Sequence, residues 1–199
     1  MKIFKISIDE DDVLGMSCIS FVEEPAVLKE FLKFSEEDKE AGARLMKLNK
    51  IDEDRHIVTG VVAVADMPIL RFNQELGYHY IVFDRDVIEK MVQRYFRNGY
   101  VNNVNIEHNG PLVQGVTLYE SYIKDSERGI NPVEFSDLTD GSWLVSYKVS
   151  DDALWEEIKA GKTLKGFSLE GYFSYGEEVD IPEPKDPEDY DSWIEDILK

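Results

Sequence analysis

Val101-Asn-Asn-Val-Asn-Ile-Glu-His108, Val113-Gln-Gly-Val-Thr-Leu-Tyr-Glu-Ser-Tyr-Ile123 and Trp143-Leu-Val-Ser-Tyr-Lys-Val149 succeed one another with no helical pattern between them. Each alternates in the period of two that belongs to strands, and Trp143, Val145, Tyr147 and Val149 share one face. A doubly wound parallel sheet needs a helix after nearly every strand, so this stretch argues against one. Two β-branched runs precede it, at 57–65 and 78–83. A helix follows the second: Asp84 is a suitable N-cap, Val87, Ile88, Met91, Val92, Tyr95 and Phe96 form one apolar face, and Asn98-Gly99 ends it. Beyond the third strand a shorter helix starts at Ser150, with Asp151 and Asp152 in its positive first turn, and stops at Gly161. Residues 166–173 read as a last strand. The expected fold is α+β, mainly β: a small antiparallel β-barrel or strongly bent sheet flanked by a few helices.

The chain has 199 residues and a net charge of −19. That length suits one domain with appendages. The acidity argues against nucleic acid or an anionic membrane as partner, because phosphate binding rests on clustered Lys and Arg. One cysteine, Cys18, excludes an internal disulfide framework and a Cys-based zinc site, no two histidines are spaced as metal ligands on one element, and no acidic run has the spacing of a Ca²⁺ loop; no metal or cofactor is expected. The N-terminus lacks the apolar core of a signal peptide, and the longest apolar run, 61–65, is far short of the ~20 residues that span a bilayer. The expectation is a soluble protein of a cytosol. Residues 1–173 are expected to form the domain, with a charged helical insert at 28–54. Residues 174–199, with 2 basic and 10 acidic side chains and three prolines, are expected to form an extended acidic tail.

Familiar chemical signatures are missing: there is no phosphate loop, no G-x-G-x-x-G and no H-E-x-x-H. Gly166-Phe-Ser168-Leu-Glu170-Gly171 is not a nucleophile elbow, since Glu170 stands where that motif needs glycine. Alternation instead places Ser168 within a strand, with Ser168, Glu170 and Tyr172 on one face and Phe167, Leu169 and Phe173 on the other. Glycines 166 and 171 leave backbone room that a substrate chain could use. A serine needs a base in hydrogen-bond reach, and the base needs an orienting acceptor. Of His56, His79 and His108, only His108 ends a strand beside turn residues, in Asn105-Ile-Glu-His-Asn-Gly.

These residues are similar to motifs of the prohead (capsid maturation) proteases of tailed bacteriophages, whose fold resembles the herpesvirus assemblin protease. The likeness runs in order through Ile19-Ser-Phe-Val-Glu-Glu-Pro-Ala26, Thr59-Gly-Val-Val-Ala-Val-Ala-Asp-Met-Pro68, Tyr80-Ile-Val-Phe-Asp84, Asn105-Ile-Glu-His-Asn109, Val116-Thr-Leu-Tyr-Glu-Ser-Tyr-Ile123 and the serine region at 143–171. It covers 1–27 and 55–173. The resemblance implies a serine endopeptidase with Ser168 as nucleophile and His108 as general base. Assemblin-type enzymes use a second histidine after the serine, and none follows Ser168 here; the phage members use an acid. Glu120 is the preferred third member, on a strand expected to pair with that of His108, and Glu170 is the alternative. Side chains two apart on a strand lie ~6–7 Å apart, so Glu170 reaches the far nitrogen of His108 only if the ring lies between it and Ser168. The oxyanion donors are left unassigned, with backbone N–H groups around 162–166 and 174–177 as the open candidates.

The resemblance further implies scaffold, capsid-protein segments and the protease itself as substrates inside the prohead in the host cytoplasm, with the portal a further candidate partner and a homo-oligomer admitted. Some relatives cut after glutamate with an aliphatic residue two positions before it. Leu28-Lys-Glu30, Ile51-Asp-Glu53 and Ile181-Pro-Glu183 have that form. Autocleavage after one or more of Glu30, Glu53 and Glu183 is therefore expected. The competing expectation is a non-enzymatic scaffold or adaptor protein of the prohead that keeps the protease fold. A carboxylate pair, Glu107 with Glu120, ranks last, because solvated acids stay ionised.

Overall fold

The computed structural model describes residues 2–8, 15–23, 50–160 and 164–179. Within them the chain is α+β and mainly β, with two helices and three sheets, none closed into a barrel. The strands are β1 (Ile3–Ser7), β2 (Gly15–Val22), β3 (Lys50–Asp52), β4 (Ile57–Ala63), β5 (Ile69–Asn73) and β6 (Gly77–Val82). Helix α1 (Arg85–Arg97) follows, then β7 (Val104–Ile106), β8 (Val116–Ile123), β9 (Trp143–Val149), helix α2 (Asp152–Ala160), β10 (Gly166–Tyr172) and β11 (Ser174–Val179). The sheet orders are β11-β1-β6-β5, β10-β2-β7 and β3-β4-β9-β8.

Local chemistry sets these elements where the sequence marks them. The Asp84 carboxylate accepts from Val87 N at 2.8 Å and caps α1, which buries Val87, Ile88, Met91 and Tyr95. Each fully buried aliphatic side chain on that face stabilises by roughly 1.5–3 kcal/mol. Asp151 accepts from Leu154 N at 2.8 Å and does the same for α2. Every residue of β4 is buried, which is why its β-branched run is continuous rather than alternating.

Four details differ from the sequence reading. Pairing is not wholly antiparallel: β1–β6 and β2–β7 are parallel. Parallel neighbours need long crossovers, and the chain between each pair supplies them. Strand β5 is additional; its hairpin to β6 turns on Asn73, whose side-chain oxygen accepts from Glu75 N and Leu76 N, and on Gly77 at φ +67°. The end of the expected insert is a strand, β3, that hairpins onto β4, with Asp52 taking hydrogen bonds from Arg55 N and Nε. The expected tail opens as β11, which pairs with β1, because Ser174–Val179 can complete an otherwise open sheet edge. Residues 24–49 and 180–199, and with them most of the insert and of the tail, lie outside the described residues.

The site rests on the three-stranded sheet. Phe21 and Phe167, the neighbours of Ser20 and Ser168, turn to the opposite face and pack against Tyr147 of β9, with ring centroids 5.0–5.9 Å apart. This buried aromatic cluster holds the backs of β2 and β10 still, so the polar side chains on their fronts have fixed origins.

Candidate active site

The register across β10, β2 and β7 builds the site. Ser168 pairs with Ser20, and Ser20 pairs with Asn105. Three short polar side chains therefore form one row across three strands, each flanked along its own strand by large apolar residues that face the core. Ser20 is 0 % exposed, Asn105 5 % and Ser168 8 %.

His108 reaches this row from the end of β7. Glu107 and His108 both adopt left-handed backbone, at φ +55° and +53°. For residues with a Cβ this costs about 1–3 kcal/mol each. Hydrogen bonds around the turn offset it: Glu107 N donates to Phe21 O, Asn109 N donates to Ile106 O, and the Glu107 carboxylate accepts from Glu23 N. The turn folds the imidazole back over the row. Nε2 then lies 3.0 Å from Ser168 Oγ, and Nδ1 lies 3.0 Å from Ser20 Oγ.

Glu170 lies two residues beyond Ser168 on the same face. Its Oε2 is 3.5 Å from His108 Nδ1 and accepts from Asn105 Nδ2 at 2.7 Å. The ring thus lies between Ser168 and Glu170, which is the condition for Glu170 to reach its far nitrogen. Glu120 is elsewhere. It accepts from Ser146 Oγ at 2.7 Å, and Ser146 meets Thr59 Oγ1 at 2.8 Å, in a second polar row across β8, β9 and β4. The structure brings Ser168, His108 and Glu170 together and leaves Glu120 in a different sheet. Its strand β8 pairs with β9, while the His108 strand pairs with β2. The Glu107 carboxylate accepts from Glu23 N, whereas Glu120 bonds Ser146 in the other sheet.

One further expectation changes. The space beside Gly171 is filled by β2 rather than open to a substrate: a Cβ at 171 would fall 2.7 Å from Met16 Cα. Among the candidate oxyanion donors, Lys165 N is already engaged by Val22 O, and residues 162 and 163 lie outside the described residues. Ser20 and Asn105 carried no assigned role in the sequence reading. Their one signal is a small polar residue between large apolar ones, in Ile19-Ser-Phe21 and Val104-Asn-Ile106.

Chemically, a serine hydroxyl set against an imidazole nitrogen can lose its proton to the ring as its oxygen attacks an acyl carbon. The His108 side chain is 41 % exposed and Glu170 40 %, so a substrate can approach from their side. Cys18, opposite Glu170 on β2, does not compete as a nucleophile. Burial, and then the Glu170 charge, push its thiol up to about 11, so it stays protonated. Among the described residues no cluster of three or more His, Cys, Asp or Glu is placed to hold a metal ion, and no helix is long and apolar enough to cross a membrane.

Comparison with known proteins adds one finding. A family model described as "Putative phage serine protease XkdF" matches residues 44–177, a span that contains His108, Ser168 and Glu170. No curated protein and no solved structure matches the chain.

Proposed function

Since the chain belongs to the XkdF family of phage serine proteases, we propose that it is an endopeptidase of capsid maturation in which Ser168 is the nucleophile, His108 the general base and Glu170 the acidic member. The observation that carries this reading is the 3.0 Å approach of His108 Nε2 to Ser168 Oγ, with a carboxylate behind the ring. His108 takes the Ser168 proton as Oγ adds to the scissile carbonyl. The imidazolium then protonates the leaving amine, leaving an acyl-enzyme, and the same ring activates the water that hydrolyses it.

Scaffold and capsid-protein segments, and the chain itself, are the proposed substrates, cut inside the prohead, with an assemblin-like arrangement of the fold. Confinement there raises the effective concentration, so weak peptide affinity suffices. Glu53 stands exposed in the turn between β3 and β4, where an extended chain can be presented. Glu30 and Glu183 lie outside the described residues.

The test is labelling of the folded protein with a fluorophosphonate, followed by peptide mapping. Ser168 is expected to be the single modified residue, and His108→Ala is expected to abolish the modification. A folded protein that takes no label and keeps its full mass on prolonged incubation would leave a non-enzymatic scaffold or adaptor as the better reading. The two carboxylates separate in the same assay. Glu170→Gln is expected to lower the labelling rate on the order of a hundredfold or more, whereas Glu120→Gln should stay within about threefold of wild type. The reverse ranking would return the acidic role to Glu120.

A further inference from the structure

The side chain nearest His108 Nδ1 is Ser20, at 3.0 Å, and not the carboxylate at 3.5 Å. Ser20 Oγ has two other neighbours: Asn105 Oδ1 at 2.6 Å and Glu170 Oε2 at 3.5 Å. Asn105 in turn donates from Nδ2 to Glu170 Oε2 at 2.7 Å. Three side chains from three strands are therefore linked to one another behind the ring.

The direction of each bond in this chain follows from the one before it. A carboxylate only accepts, so the Asn105 atom facing Glu170 must be the amide nitrogen. The atom facing Ser20 is then the carbonyl oxygen, which also only accepts. Both non-histidine neighbours of Ser20 are acceptors, and a hydroxyl has one proton to give. That proton goes to Asn105, and Ser20 turns a lone pair to His108 Nδ1. Nδ1 must therefore carry the imidazole proton, which leaves Nε2 bare and facing Ser168 at 3.0 Å. This is the tautomer in which the ring can accept the Ser168 proton. A reversed amide would set the Asn105 oxygen against the Glu170 carboxylate and free the Ser20 proton for Nδ1 or for Glu170, so the proton on Nδ1 would no longer be required.

We propose that Ser20 and Asn105 are positioning residues that relay the charge of Glu170 to His108 as a choice of tautomer. Glu170 acts chiefly by fixing the Asn105 amide, and Ser20 is the group that the ring reads. Burial supports this role, since Ser20 and Asn105 are shielded from water that would otherwise supply protons in either sense. Ser20 comes from β2, which lies outside the span matched by the family model.

The inference rests on the protease reading for its consequence in catalysis, but its physical content is the state of the ring. The test uses the full chain and two readouts. The first is the ¹⁵N spectrum of the His108 ring, and the second is the rate of fluorophosphonate labelling. Wild type is expected to show Nδ1–H with an unprotonated Nε2. Ser20→Ala is expected to lose that preference and to label on the order of a hundredfold more slowly, with its thermal unfolding still cooperative. A swap variant tests the polarity directly. In Asn105→Asp with Glu170→Gln, the carboxylate at 105 accepts from both Ser20 and the new amide, so the sense of the chain is kept. The double variant should recover at least tenfold over Glu170→Gln alone and should restore the Nδ1–H signal. An Nε2–H ring in wild type would overturn the proposal, as would a Ser20→Ala protein with unchanged tautomer and rate, or a swap no better than the single variant. A wild type that shows the expected tautomer, lost in Ser20→Ala, yet takes no label would retain the relay and remove the protease reading.

Discussion

Ser168→Ala is expected to lower peptide hydrolysis on the order of a million-fold, with His108→Ala doing the same and the double variant no worse than either. The reasoning is cooperative. Without the ring the hydroxyl is a poor nucleophile, and without the hydroxyl the ring has nothing to activate. Neither change should unfold the protein. Ser168→Ala removes one oxygen whose structural partner is a half-exposed imidazole, a loss of about 1 kcal/mol. Progress curves on a peptide with an aliphatic residue two positions before a glutamate would measure this, alongside thermal melts. Single variants within tenfold of wild type would remove both residues from the mechanism. A double variant whose loss is the product of the two single losses would show that they do not act as a unit.

Gly171→Ala should be the most damaging small substitution in the sheet that carries the site. Gly171 stands at the irregularity after Glu170, where β10 resumes its pairing against Met16 and Gly15. A methyl there meets the Gly15 carbonyl oxygen and the Met16 Cα, both of them backbone atoms that no rotamer change can move. Accommodating it means prising β10 from β2, at about 2–4 kcal/mol, or a melting temperature lower by roughly 5–12 °C. The same displacement moves Glu170, so labelling of Ser168 should slow even where the variant remains folded. A melting temperature within about 2 °C of wild type would show that the strands separate easily and that the site is less rigidly held than argued above.

Much of this arrangement was legible before any coordinates. Helix α1 declared itself through Asp84 and its apolar face, because capping and amphipathicity are local. The shared face of Ser168 and Glu170 followed from alternation, which is also local. The choice between Glu120 and Glu170 was not local. It depended on which strand lies beside which, and two sheets carry similar polar rows: Ser168-Ser20-Asn105 in one, Thr59-Ser146-Glu120 in the other. Only the first receives a histidine. The left-handed turn that delivers it also went against propensity. Gly110 in the same turn takes that backbone cheaply, at φ +82°, but Glu107 and His108 take it as well, each with a Cβ. Strain placed on the functional residue, with tolerant residues beside it, is a pattern that composition cannot display.

The row across β10, β2 and β7 also sets a clock. Its members come from positions 20, 105 and 168, and the ring that unites them comes from position 108. A chain still being synthesised holds Ser20, then Asn105 and His108, and only 60 residues later gains Ser168, the hydroxyl that faces Nε2. Even then, a slip of one residue in the pairing of β2 would turn Ser20 into the aromatic core and bring Phe21 to the front. The Ser168–His108 approach therefore forms late and all at once, after the longest-range contacts of the sheet have closed. An unfinished or misregistered molecule therefore lacks the assembled row.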